Sequence, residues 1–156
     1  MPYLPISCIY LPFLSTLFTA FFAMTSEIVY RGELRTEAMH TASGETIITD
    51  APTDNMGKGE AFSPTDLVAT ALGACMMTIM GIVAQRHDID LRGTRIAVTK
   101  QMQQQPRKIS AVELVFSLPA HIDAHHRQLL ENAARTCPVA LSLEPSILQL
   151  VSFNYA

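Results

Sequence analysis

The chain has 156 residues, enough for one domain with a real core and too few for two. Hydrophobic residues make up 49% and charged residues 16%, which excludes a disordered chain. A net charge of −3, the absence of any basic run and the lack of tryptophan exclude an electrostatic footprint or stacking platform for nucleic acid.

Residues 1–23 carry no charge and read as an apolar extension outside the fold. They lack the basic start of an export signal. Pro2, Pro5 and Pro12 interrupt them as a membrane span, which needs about 20 continuous apolar residues. Met24-Thr-Ser-Glu-Ile then resembles an ordinary cytoplasmic start, so residues 24–156 are taken as the single domain and Cys8 is set aside.

From Glu27 to Thr49 apolar and polar residues alternate around Ser43-Gly44-Glu45, predicting an antiparallel hairpin. A breaker-rich loop covers residues 50–62. Ser63-Pro64-Thr65-Asp66 predicts a helix start, with Ser63 as N-cap, Pro64 in the first turn and Asp66 closing a capping box. The helix is expected to reach about His87. It is apolar on nearly every face, as a central helix wrapped by sheet or shared with a second subunit should be.

Residues 91–118 predict a second hairpin that turns at Gln103-Gln104-Gln105-Pro106. Asp123 caps a helix to about Thr136, Cys137-Pro138 breaks it, a short helix runs to Leu143, and residues 147–155 form a last strand. Runs of strands separated by helices give an α+β fold with antiparallel sheets around a long buried central helix.

Two cysteines hold the chemical interest. Cys137 precedes a proline where a helix can begin, so it fits an N-cap at which free N–H groups favour the thiolate, and Arg135 could add positive potential. Cys75 lies mid-helix among small and apolar residues, where desolvation raises a thiol's pKa. Reactivity there needs a cation from elsewhere in the fold or from another subunit. Gly73, costing about 1 kcal/mol in a helix interior, suggests close approach by another backbone. If folding brings the two thiols together, they form a reversible dithiol/disulfide couple. Three cysteines in a chain of this size suit a reducing compartment rather than a disulfide scaffold. His125 and His126 are adjacent and point apart, and no paired spacing suggests a metal site.

The block Phe62-Ser-Pro-Thr-Asp-Leu-Val-Ala-Thr-Ala-Leu-Gly-Ala-Cys75, together with Cys137-Pro-Val-Ala-Leu-Ser-Leu143, resembles the OsmC/Ohr family over essentially all of residues 24–156. The resemblance implies an intertwined homodimer with active sites at the subunit interface, using neither metal nor flavin. It implies reduction of organic hydroperoxides in oxidative-stress defence, with Cys75 as peroxidatic thiol and Cys137 as resolving thiol. An external dithiol (a lipoyl protein, a thioredoxin or a small thiol) would reset the pair in the cytoplasm.

Better-known members carry an arginine in the first hairpin turn and a glutamate after the helix-starting proline. Here that turn is read as Thr41-Ala42-Ser43-Gly44 and the residue after Pro64 is Thr65. Arg31, Arg35, Glu60 and Asp66 are the candidates to replace them. The alternative implied by these departures is an OsmC-like dimer holding a small apolar ligand at its interface without peroxidase activity.

Overall fold

The computed structural model describes residues 24–156; the apolar extension and Cys8 lie outside them. Two three-stranded sheets lie on either side of a long helix in the sequence, and the second packs against it. The first joins β1 (Ser26–Gly32), β2 (Arg35–His40) and β3 (Thr46–Asp50), all antiparallel. The second joins β4 (Arg95–Gln104), β5 (Arg107–Leu118) and β6 (Leu148–Tyr155) in that order. Between the sheets in sequence runs α1 (Pro64–Arg86), and α2 (Ala124–Arg135) and α3 (Pro138–Ser142) connect β5 to β6.

Two details differ from the reading of the sequence. The first is the N-terminal hairpin, which is a three-stranded meander with an additional tight turn at Gly32-Glu33-Leu34. Gly32, Glu33 and Leu34 all take positive φ. Only Gly32 is suited to it by chemistry. Glu33 is held by an ion pair with Lys58, and the Leu34 N–H donates to the Tyr30 hydroxyl at 3.1 Å. Thr41–Gly44 is therefore the second turn of this sheet, and Arg31 and Arg35 flank the first.

The second difference is the last strand. β6 pairs with β5 in parallel, Ala111 opposite Leu148 through Leu118 opposite Tyr155. The α2–α3 crossover carries the chain back to the end at which β5 began, and a crossover of that kind returns a parallel strand.

The α1 start is as the sequence dictates. Ser63 Oγ accepts from the Asp66 N–H at 3.2 Å, and Asp66 Oδ2 accepts from the Ser63 N–H at 2.8 Å. One stripe of α1 (Leu72, Met76 and Met80, with Ala69, Gly73 and Ala84) is buried against β4, β5, α2 and α3. The core continues through Val112, Leu114 and Phe116 on β5 and Leu130 and Ala134 on α2, and Phe116 stacks on Phe153 at 4.8 Å.

The expectation of burial on every face is not met among the described residues of one chain, because none of them covers the opposite side. Val68, Ala71, Ala74, Thr78 and Ile82 remain exposed. By length and composition α1 could cross a membrane, yet its caps and its packing on a sheet are those of a core helix. Gly73 does permit close approach, though to side chains rather than to backbone. A Cβ there would stand 3.1 Å from Val98 Cγ2 and 3.3 Å from Leu114 Cδ2.

Candidate functional site

Cys137 sits where α2 ends and α3 begins. Its N–H still donates to the Ala134 carbonyl at 3.2 Å, and with extended backbone it serves as N-cap to α3 ahead of Pro138. The Cys137 Sγ accepts from the Ala140 N–H at 3.3 Å, so the expected cap is formed. Its consequence for the thiol is the reverse of the expectation. The side chain is fully buried, and burial pushes the thiol's pKa up. The Ala140 N–H pulls it down, the neighbouring Cys75 side chain raises it again, and the net direction is upward. A five-residue helix cannot offset desolvation of a fully buried anion.

Cys75, on α1, is half-buried and packs against the cluster that contains Cys137. The two side chains are near enough for Cys75 to act on the ionisation of Cys137, and both are free thiols. Folding thus brings together two cysteines far apart in sequence, on neighbouring helices. Arg135 is not part of this arrangement. Its guanidinium donates to the Val151 carbonyl at 3.2 Å and stacks over Phe153.

The other candidates are held in ion pairs of their own. Arg31 is exposed on β1 and pairs with Glu37 at 2.9 Å. Arg35 donates to both oxygens of Asp50, at 2.6 and 2.8 Å, and to Glu60 at 2.7 Å. Asp50 is 2% exposed and also accepts from the Glu60 N–H. The Arg35 guanidinium holds its carboxyl below the usual range. Asp66 is engaged in capping, as its position in the capping box implies, and in an ion pair with Lys100 at 2.7 Å. Burial raises its carboxyl, but Lys100 and Ser63 outweigh burial and the net direction is downward. Lys100 also donates to Thr65 at 2.7 Å and to Ser63 at 3.3 Å.

The reading of the sequence missed Lys100 and Asp50. A signal for Lys100 was present: Ile96, Val98, Lys100 and Met102 alternate along β4, so a lysine occupies an otherwise apolar inward row. Together Glu60, Asp66 and Lys100 border an open cavity of about 600 Å³, with Phe62, Ala69 and Val98 as apolar wall. Neither cysteine lines it, and among the described residues no group of three metal-ligating side chains comes together.

The family model described as OsmC-like protein matches residues 57–150, which span Cys75, Cys137 and the helices α1, α2 and α3. The chain belongs to the OsmC-like family. A crystal structure from Psychrobacter arcticus 273-4, of a candidate osmotic stress induced and detoxification response protein, is 49% identical. It matches with a TM-score of 0.82, over 84% of this chain and 96% of that one. Lower identity still preserves the OsmC-like fold. An organic hydroperoxide resistance protein OsmC from Legionella pneumophila aligns at 18% identity and TM-score 0.67, covering 85% of this chain and 98% of its own. One from Elizabethkingia anophelis aligns at 16% identity and TM-score 0.67, covering 85% and 97%. No match is found among the curated proteins.

Proposed function

We propose that the chain is a thiol peroxidase that reduces organic hydroperoxides in oxidative-stress defence, working as a cytoplasmic homodimer. The observation that supports this most is the placement of the Cys75 side chain against the Cys137 thiol in a family that includes organic hydroperoxide resistance proteins.

The reaction balances with these two residues and a dithiol. The Cys75 thiolate attacks the distal peroxide oxygen and the O–O bond breaks. Cys75 becomes a sulfenic acid, and the alkoxide takes a proton to leave as the alcohol. The Cys137 thiol attacks that sulfur, water departs, and a Cys75–Cys137 disulfide remains. An external dithiol then reduces it in two exchange steps and leaves as its own disulfide.

Division of labour follows from the surroundings. Cys75 is the accessible thiol of the two, and the buried Cys137 is kept as a thiol until its neighbour is oxidised. Arg31 and Arg35 are each paired within the chain, so the cation that activates Cys75 is assigned to the subunit interface.

Consumption of cumene hydroperoxide with a dithiol reductant tests the reading. Cys75→Ser should abolish turnover, and Cys137→Ser should give one turnover and stall with Cys75 as a trappable sulfenic acid. Wild-type rates in both variants would end the enzymatic claim.

A second reading, an OsmC-like dimer holding a small apolar ligand at its interface, is favoured by the engagement of Arg31 with Glu37, of Arg35 with Asp50 and Glu60, and of Asp66 with Lys100. Rapid alkylation of Cys75 in the native protein near neutral pH supports the peroxidase, and an inert Cys75 supports the binding protein.

A further inference from the structure

We propose that Gln149 is a positioning residue for the resolving step: through Ala140 it fixes the Cys137 sulfur in the place from which it attacks oxidised Cys75. This role rests on the two-cysteine reaction proposed above and brings the last strand into it.

Every second residue of β6 turns inward: Gln149, Val151, Phe153 and Tyr155 are half-buried, while Leu148, Leu150, Ser152 and Asn154 are exposed. Val151, Phe153 and Tyr155 pack against the core. Gln149 breaks this otherwise apolar and aromatic row, and its side-chain amide donates to the Ala140 carbonyl at 2.9 Å. Ala140 is buried, and its carbonyl lies in the last turn of α3, where a helix offers no N–H of its own. Gln149 supplies the missing donor.

Ala140 also gives its own N–H to the Cys137 Sγ at 3.3 Å. Two hydrogen bonds therefore run from β6 to the sulfur through one residue. With five residues, α3 is too short to hold its shape without tertiary support. The place of the sulfur beside Cys75 thus depends on where Ala140 is held.

In the resolving step the Cys137 sulfur forms the S–S bond and the S–O bond of the Cys75 sulfenic acid breaks. The thiol proton leaves with the hydroxide as water. Negative charge gathers on Cys137 as its proton departs, and an N–H fixed at the sulfur favours that charge. Gln149 exchanges no atoms. It holds the donor and the line of attack, to which rates are steeply sensitive.

The reduced full-length protein is mixed with an equimolar amount of cumene hydroperoxide without reductant. Dimedone trapping and mass spectrometry follow the Cys75 sulfenic acid and the disulfide in time. In Gln149→Met, which removes the donor, Cys75 should oxidise at the wild-type rate and the sulfenic acid should persist about tenfold longer. Gln149→Glu separates positioning from packing. An ionised carboxylate cannot donate to the Ala140 carbonyl, whereas a protonated carboxyl can. Its disulfide formation, measured against the wild type at each pH, should be slow near neutral pH and recover as acid protonates the new carboxyl. The Ala140 amide NMR signal should move in both variants and return in acid in Gln149→Glu.

Wild-type sulfenic acid lifetimes in Gln149→Met, or a Gln149→Glu defect that is equal at every pH, would overturn the assignment. Inertness of the wild type toward the hydroperoxide would end the peroxidase reading instead. The disulfide is then driven with diamide, to which the Cys75 thiolate adds across the N=N bond before Cys137 displaces the hydrazine. Slower closure in Gln149→Met supports the role of Gln149 there too, and equal rates overturn it.

Discussion

At Cys137 two local influences act in opposite directions. The N-cap is legible from the Cys-Pro pair, because proline fits the first helical position and a short polar atom before it can accept an N–H. Burial is not legible there, since it depends on α1 and β6 arriving from distant parts of the chain. The raised pKa has a measurable consequence for stability. A thiol whose folded pKa exceeds its unfolded value, about 8.5 for cysteine, contributes stability that is present below that value. The contribution is lost as pH rises through the folded pKa. Denaturant midpoints measured from pH 7 to 10 should therefore fall in the wild type, and fall less steeply in Cys137→Ala.

Asp50 behaves in the opposite sense. Its carboxyl is held down first by the Arg35 hydrogen bonds, so the stability it provides is present above the usual aspartate pKa. That stability is lost as pH falls through its lower folded value. Arg35→Met should bring acid unfolding to higher pH, and adding Asp50→Asn should reverse part of the change, because the buried charge then no longer needs a partner.

Among the elements, α1 was the most readable because its signals are contiguous. Ser63, Pro64 and Asp66 define the start within four residues, and the structure forms both arms of the capping box. Ser63→Ala should cost about 1 kcal/mol, seen as a lower urea midpoint at unchanged slope. Gly73 lies where α1 meets Val98 and Leu114, so Gly73→Leu should overpack that contact and cost about 1–3 kcal/mol by the same measurement.

The elements that were misread depend on geometry with no local marker. Glu33 and Leu34 adopt left-handed backbone without glycine, and only Lys58 and the Tyr30 hydroxyl, met through folding, show what holds them. The parallel direction of β6 is set by the path of α2 and α3, whereas its own alternation reads the same in either direction. Lys100 was visible as a break in an apolar row, but its partner Asp66 was assigned fully by capping.

Across the whole molecule, the β1–β3 sheet stands apart from the core. The row Tyr30, Thr36, Thr49 on one of its faces borders a cavity at the α1 start. In the next row on that face, Ile28, Ala38 and Ile47, Ala38 is half-buried while Ile28 is 65% and Ile47 50% exposed. The open side of α1 and this row are apolar surfaces that the described residues leave uncovered, and the homodimer proposed above would bury both. Light scattering on the purified protein should give twice the chain mass. Ile47→Lys should shift it toward one chain mass and reduce peroxide turnover. The sequence showed these residues to be apolar, but not that they lie on the far side of the chain's own core.

The detachment of that sheet has a thermodynamic corollary. In the proposed homodimer, a three-stranded meander with so little to rest on among the described residues of its own subunit would draw its order from the encounter between subunits. Melting should therefore follow mass action: concentrated samples should hold to higher temperature than dilute ones, with the N-terminal strands exchanging their amide protons first as the solution is thinned.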